Sequence, residues 1–181
     1  TGETIVVSFE AGEARSANVT GGVEGMYRLE SETGGAERVT YRSNNLLYDV
    51  ESAIMHLEGD AGIEYMGMRL NSESIEYDAK TYNLFASIEP VLWEGDEKIT
   101  GTTMTYNLKT RRGSVETGRT AYEGGLYTGD LIRKTGEKSL NVGGGTYTTC
   151  NHLDPHFSFT SSQMKVIVDD KVVARPVILR I

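Results

Sequence analysis

The residues of this chain best suited to chemistry lie close together near its C-terminus. Cys150, His152, Asp154 and His156 occupy alternate positions, so an unbroken strand would place all four side chains on one face. Thiolate, imidazole and carboxylate groups form a mixed-ligand set that zinc accepts. Pro155 interrupts such a strand, however, and neighbouring ligands on one flat strand cannot easily surround an ion. The sequence therefore favours ordinary loop residues here and predicts no metal centre.

Patterns typical of other catalytic sites are missing from the sequence. It contains neither a Gly-x-Ser-x-Gly nucleophile elbow nor a Gly-x-x-x-x-Gly-Lys-Ser/Thr phosphate-binding loop. The 26 Asp and Glu residues are scattered over predicted turns and polar faces, where solvated surface charge is the ordinary explanation. We therefore predict that the protein is not an enzyme and uses no cofactor.

The charge balance also limits the classes of partner. There are 18 Lys and Arg residues against 26 Asp and Glu residues, which gives a net charge of −8. A chain this acidic is a poor partner for nucleic acid, because phosphate binding rests on basic contacts. The local basic group of Lys109, Arg111 and Arg112 is best explained as a solvated turn, with a phosphorylated ligand as the alternative.

A repeat of 29 residues organises the middle of the chain. Tyr48, Tyr77 and Tyr106 are each followed by Asp or Asn, and a Lys-Thr pair follows the second and third of them. The residues before each tyrosine alternate with period two, which indicates a strand. Asp and Asn hydrogen-bond their own backbone in turns. Each repeat is therefore predicted to be a strand, a short turn, a second strand and a longer return.

Alternation within the repeats assigns a set of inward-facing residues. If both strands of each unit face inward together, six apolar side chains share one groove: Ile75, Leu84, Ala86, Ile88, Met104 and Val115. Around the first repeat, the three- and four-residue spacing of apolar residues from Leu47 to Leu57 would also fit a helix. The repeat register favours a hairpin there.

The composition predicts an all-β fold. Residues suited to strands are abundant, and 21 glycines with only 3 prolines suit tight turns between strands that keep their hydrogen-bond donors. We expect one domain over residues 1–181, with at least ten strands, mostly antiparallel. The chain stops in the apolar segment Val177–Ile181, so we expect it to be a piece of a longer protein.

Several C-terminal segments resemble one protein family. These are Gly145-Thr-Tyr-Thr-Thr-Cys150, Asp154-Pro-His-Phe157, Ser162-Gln-Met-Lys-Val166 and Ala174-Arg-Pro-Val177. They are similar to the end of the soluble domain of the LptD (OstA) family of outer-membrane lipopolysaccharide-assembly proteins. The Tyr-Asp/Asn-x-Lys-Thr repeats resemble the OstA-like repeats of LptA, LptC and LptD.

The resemblance implies a fold and a role. The fold would be an open, twisted antiparallel β-jellyroll, V-shaped and built of two sheets, whose apolar interior binds the acyl chains of lipopolysaccharide. Such domains join edge to edge, here with an LptA-like neighbour. A free edge strand is a template for pairing, and we expect that edge at Ile5–Phe9. The location would be the periplasmic side of the outer membrane of a Gram-negative cell.

The LptD resemblance also implies features outside this segment. A membrane β-barrel would follow the domain, with an LptE-like lipoprotein as its partner. Cys150 matches the family cysteine that forms a disulfide, and its partner would lie beyond Ile181. The polar neighbours of Cys150 favour a position at the rim of the domain, with a buried, inert thiol as the alternative. The alternative function is a structural β-repeat domain that mediates interactions and binds no lipid.

Overall fold

The computed structural model describes residues 1–30, 36–122, 124–136, 138–152, 154–167 and 170–181. In these residues the chain forms fifteen strands and no helix. In chain order they are β1 (Thr4–Glu10), β2 (Glu13–Glu30), β3 (Ala36–Asp49), β4 (Ile54–Tyr65), β5 (Met68–Asp78), β6 (Asn83–Ser87), β7 (Val91–Glu94), β8 (Glu97–Thr100), β9 (Thr103–Asn107), β10 (Arg112–Tyr122), β11 (Gly125–Gly136), β12 (Ser139–Thr148), β13 (Ser158–Ile167), β14 (Lys171–Arg175) and β15 (Ile178–Arg180).

All these strands belong to one antiparallel sheet that follows the order of the chain. β6 and β7 pair with opposite halves of β5, so together they act as one bent strand. β8 and β9 pair in the same way with opposite halves of β10. β14 and β15 do so with β13. The molecule is therefore a meander of long strands, most of which bend once near the middle.

The bends line up into one corner that crosses the sheet. Register shifts mark it between Thr20 and Val23, between Arg42 and Asn45, and between Glu58 and Ala61. Several residues at the corner have positive φ, as extra residues in β-bulges commonly do. They are Gly21, Gly22, Gly59, Asp60, Ile88, Glu89, Thr117 and Gly144.

The corner divides the sheet into two arms, which are defined here by their strand segments. Arm 1 contains residues 4–10, 13–20, 45–49, 54–58, 74–78, 83–87, 103–107, 112–116, 131–136, 139–143, 163–167 and 171–175. Arm 2 contains residues 23–30, 36–42, 61–65, 68–72, 91–94, 97–100, 118–122, 125–129, 145–148, 158–161 and 178–180.

The two arms face each other and enclose the core between them. One hydrophobic cluster draws buried side chains from every strand from β2 to β13, with Leu57, Ile75 and Ala86 entirely inaccessible. Tyr27 of arm 2 meets Tyr77 of arm 1 edge to face, with ring centroids 6.0 Å apart. The prediction of an all-β antiparallel jellyroll is confirmed, and its two facing layers are the arms of one bent sheet.

The turns of the 29-residue repeat form as the sequence predicts. Asp78 Oδ1 accepts hydrogen bonds from the backbone N–H groups of Lys80 and Thr81, at 2.8 and 3.0 Å. Asn107 Oδ1 accepts the N–H of Thr110 at 2.9 Å, and Asp49 caps its turn in the same way. The segment after Tyr48 is therefore a hairpin, and the helical alternative is wrong.

The left-handed residue of each turn is not the Asp or Asn. It is the fourth residue after it, which is Ala53, Tyr82 or Arg111, with φ of 59°, 63° and 54°. Consecutive turns also stack, because the N–H of Ala79 binds the carbonyl of Ala53 and the N–H of Leu108 binds that of Tyr82. Successive repeats therefore place their turns side by side, and the stacked turns form a ladder at the tip of arm 1.

The bends correct two details of the alternation pattern. Leu70 and Ile75 are both buried, although strict alternation places them on opposite faces, because the extra residue at the corner reverses the register near Glu73. Ile88 is 61% exposed and does not share the inward face of Leu84. It lies at the corner with φ of 68°, where the chain leaves one arm for the other.

Candidate functional site

The inward face of arm 1 carries a continuous row of apolar side chains. Residues in this row are direct cross-strand partners, so each lies beside the next. From one edge of the sheet to the other, the row is Ile5, Val19, Leu46, Leu57, Ile75, Ala86, Met104, Val115, Ile132, Val142, Met164 and Ala174. No polar residue interrupts it.

Five of the six groove residues expected from the sequence lie on this inward face. Ile75, Ala86, Met104 and Val115 are consecutive members of the row. Leu84 lies in the next row towards the tip, between Tyr77 and Tyr106. All five are buried, and Ile88 is the exception described above.

The groove differs along its length. In the middle, around Leu70, Leu92, Met104 and Ile132, the two arms pack closely and leave a cavity of only about 20 Å³. That space is barely enough for one water molecule. Met104 and Val115 line this small cavity, and the other three expected groove residues, Ile75, Leu84 and Ala86, are fully buried. All five therefore lie in a filled part of the interior.

Near the N-terminal edge the groove opens into a pocket of about 470 Å³. That volume lies in the range of small-molecule sites. Most of the side chains that line it are apolar or aromatic, and they come from both arms. They include Ala17, Val19, Val23, Tyr27, Tyr41, Leu46, Tyr48, Met55 and Tyr77.

The sequence analysis did not identify this pocket. Its residues lie mostly in β2, β3 and β4, where the repeat is weak, and they come from both sides of the corner. The available signal was the concentration of tyrosines between Tyr27 and Tyr48 in a segment of alternating polarity. Half-buried aromatic side chains of this kind suit a pocket wall that is apolar but accessible.

One polar group within the pocket lacks a partner. The hydroxyl oxygen of Tyr77 is buried and makes no hydrogen bond to the described residues. Burial, together with the nearby Tyr27, Tyr82 and Asp78, raises the pKa of Tyr77, so the group remains a protonated donor at neutral pH.

Charged groups hold the tips of the two arms together beside the packed middle. Glu94 of arm 2 binds Arg111, at the tip of arm 1, with Nη2 to Oε1 at 2.6 Å, and it also binds Lys134 of arm 1. Burial raises the pKa of the Glu94 carboxyl, but the hydrogen bonds from Lys134 and Arg111 outweigh it, so the net pKa is lowered. Arg111 is thus engaged by a carboxylate, and Lys109 lies over the ring of Tyr82.

The structure brings together three of the four C-terminal residues considered for a metal site. Cys150 Sγ lies 3.5 Å from His156 Nδ1, and the rings of His152 and His156 are 4.9 Å apart. One ligand atom from each of the three residues lies within 4.8 Å of the other two. Asp154 is not part of this group. Cys150 is a half-buried free thiol.

Convergence occurs because these residues do not continue a strand. β12 ends at Thr148, and the chain forms a loop before β13 begins at Ser158. Pro155 does break the strand, as expected, but the break is what allows side chains from both sides of the loop to meet. This convergence is not expected from the sequence pattern, whose prediction of no metal centre stays a prediction.

Comparison with known proteins identifies a structural neighbour. The fold is similar to that of LptH from Pseudomonas aeruginosa, the LptA homologous periplasmic component of the lipopolysaccharide transport device. The TM-score is 0.54 with 15% sequence identity, over 58% of this chain and 81% of LptH. The chain matches no protein-family model and no curated protein sequence. In the described residues no helix is long and apolar enough to cross a membrane. At this identity the similarity shows an LptA-like jellyroll fold.

Proposed function

We propose that this domain binds the acyl chains of lipopolysaccharide between its two arms, as a periplasmic component of lipopolysaccharide transport. The observation that carries the proposal is the apolar pocket of about 470 Å³, which lies between the arms at the N-terminal edge. Each methylene group buried there contributes about 0.8 kcal/mol, so acyl chains would bind without polar specificity. The LptA-like fold and the resemblance of the repeats to OstA-like repeats support the same role.

The row of apolar residues supports movement of lipid along the domain. It begins at Ile5 in β1 and ends at Ala174 in β14, so it reaches both edges of the sheet. Ile75, Leu84, Ala86, Met104 and Val115 would contact acyl chains when the arms separate in the middle. Ile88 has no part in this path because it lies outside the groove.

The edges of the sheet support docking to other domains. Every residue of β1 is exposed, including Ile5, Val6 and Phe9. Such an edge can accept the edge strand of an LptA-like domain. Following the LptD resemblance, we also propose a barrel after Ile181, an LptE-like partner for that barrel, and a location at the periplasmic face of the outer membrane.

One observation favours the alternative function of a β-repeat domain without a lipid ligand. The middle of the groove is filled by side chains, which suits a purely structural core. In that case the N-terminal pocket would be only a gap between the arms at the edge of the sheet, and it would bind no ligand.

Photo-crosslinking in a bacterium that makes lipopolysaccharide separates the two functions. We would place a benzophenone amino acid at Tyr27 or Met55, which line the pocket, and at Met26 or Glu58, which are exposed on the same strands. Capture of lipopolysaccharide only at the pocket positions is the expected result. Equal capture on both faces, or no capture by the folded protein, would refute the lipid-binding role.

The same approach tests the packed middle. Ile75 and Met104 face inward, and their strand neighbours Ser74 and Thr103 face away from the core. Capture at Ile75 or Met104, without capture at the two controls, would extend the path of the lipid beyond the pocket.

A further inference from the structure

The loop between β12 and β13 concentrates side chains that bind transition metals. It contains the single cysteine of the chain and two of its three histidines, within seven residues. Among the residues that the structure describes, Cys150, His152 and His156 are the one group with three such ligand atoms in reach of a common point. None of these residues lies in the lipid pocket.

A buried residue holds the two ends of this loop together. Thr148 Oγ1 donates a hydrogen bond to the carbonyl of Phe157 at 2.7 Å and accepts one from the N–H of Cys150 at 3.0 Å. Thr148 is only 4% exposed. The ring of Phe157 packs against Phe159 of β13, with centroids 6.3 Å apart. The two ends of the loop are therefore held together independently of any bound ion.

The spacing of one pair of ligand atoms fits a tetrahedral ion, and the third ligand atom, on His152, lies within 4.8 Å of both. With Zn–S near 2.3 Å and Zn–N near 2.0–2.1 Å, a tetrahedral angle places the sulfur and nitrogen about 3.5 Å apart. The distance from Cys150 Sγ to His156 Nδ1 is 3.5 Å. His152 and His156 are exposed, so an ion can reach them without rearrangement of the core.

We propose that Cys150, His152 and His156 bind one Zn²⁺ ion, with the fourth position open to solvent or to a ligand from outside the chain. A thiolate with two imidazoles suits zinc, whereas Mg²⁺ and Ca²⁺ require oxygen ligands. The thiol of Cys150 loses its proton to the solvent when zinc binds. The bound ion cross-links the loop at the tip of arm 2, beside the pairing of β13 with β15.

A zinc-bound thiolate and a disulfide are mutually exclusive states of Cys150. The LptD resemblance implies a disulfide, whereas the two neighbouring imidazoles make the loop a metal site. The inference does not depend on lipid binding, and either can fail without the other.

Titration of the reduced 181-residue chain tests the site. We expect one Zn²⁺ per chain, measured by competition with a chromophoric chelator. We also expect a thiolate-to-metal charge-transfer band when Co²⁺ replaces zinc. Cys150→Ser should abolish this band. Cys150→Ser, His152→Asn and His156→Asn should each weaken binding by at least about 100-fold, since loss of an outer-shell partner alone costs about 10–100-fold.

The controls are His56→Asn, which alters the third histidine on β4, and Asp154→Asn, which alters the loop carboxylate outside the group. Both should bind like the unaltered chain. Circular dichroism confirms that each variant keeps the fold. Unchanged binding by Cys150→Ser, or the absence of stoichiometric binding by the unaltered chain, would overturn the proposal. So would a disulfide at Cys150 in the protein isolated from cells.

Discussion

The hydroxyl group of Tyr77 affects stability at the scale of one residue. It is buried without a partner among the described residues, which costs stability in the unliganded protein. Tyr77→Phe should therefore raise the free energy of unfolding by about 1 kcal/mol. The same change should leave lipid capture at Tyr27 unchanged, because acyl chains bind through buried apolar area.

Tyr106→Phe is the matched control for this prediction. Burial raises the pKa of the Tyr106 hydroxyl, and the group forms a hydrogen bond with Arg111. Its removal should lower the free energy of unfolding, measured by urea denaturation. The interpretation of Tyr77 fails if both variants change stability in the same direction.

Glu94 makes the closure of the arms depend on pH. Its folded-state pKa lies below the ordinary 4.5, so the stabilisation is fully present above that value. It is lost as the pH falls further, through the folded-state pKa, and the carboxylate takes up a proton. Glu94→Gln should cost about 2 kcal/mol near neutral pH, because Lys134 and Arg111 lose a charged hydrogen-bond partner.

The measurement is the free energy of unfolding as a function of pH. As the pH falls below about 5, the free energy of unfolding should decrease more for the unaltered protein than for Glu94→Gln. The variant already lacks the carboxylate that pairs with Lys134 and Arg111. The exposed Glu64→Gln on β4 should follow the unaltered curve. If the curves for the unaltered protein and Glu94→Gln are parallel, the ion pairs of Glu94 do not make stability depend on pH.

The C-terminal loop illustrates what single residues could and could not predict. The residue types at 150, 152 and 156 form a ligand set that zinc accepts, yet the sequence pattern predicts no metal centre there. Their convergence depends on the loop that follows β12, whose two ends the hydrogen bonds of Thr148 hold together. A pattern of alternate residues contains no information on such a long-range closure.

At the scale of elements, β1 is an exposed strand at the edge of the sheet. It pairs with β2 on one side only, and its apolar side chains remain accessible. Val7→Pro should abolish association with a neighbouring domain, because proline removes a backbone donor and obstructs a new strand partner. The domain should stay folded, since the core begins with β2.

Sedimentation velocity measures this association, and Val7→Thr serves as the control that keeps the strand geometry. Circular dichroism should be the same for both variants. If association survives Val7→Pro, the docking edge lies elsewhere, and the exposed C-terminal strands β14 and β15 become the next candidates.

The hairpins could be predicted and the corner could not. The turns at Asp78 and Asn107 depend on hydrogen bonds between residues close in sequence, which the residue types predict. The bends at Glu73 and Ile88 arise because each strand must match the register of its neighbours as the sheet folds over. The faces assigned by alternation are therefore reliable within one arm and reversed beyond a bulge.

At the scale of the whole molecule, the two arms form a groove that is open at one end and packed in its middle. The open end adjoins the exposed strand β1, and the packed part is held by Glu94. If the domain binds lipid as proposed, the lipid enters at the N-terminal end and reaches the middle only when the arms separate. The jellyroll fold alone does not determine where the groove is open and where it is packed, because that depends on the side chains in each part.

Filling the open end tests this arrangement. Ala17 lines the pocket, and its small side chain leaves the space into which an indole ring would extend. Ala17→Trp should occupy much of the pocket and displace acyl chains, whereas Asn18→Trp adds the same ring on the exposed face of β2. Native mass spectrometry, after expression in a bacterium that makes lipopolysaccharide, should detect bound lipid on the unaltered protein and on Asn18→Trp. The ratio of lipid-bound to lipid-free protein should fall at least about tenfold for Ala17→Trp, which corresponds to about 1.4 kcal/mol of lost affinity. Equal lipid occupancy in both variants would place the ligand outside the groove.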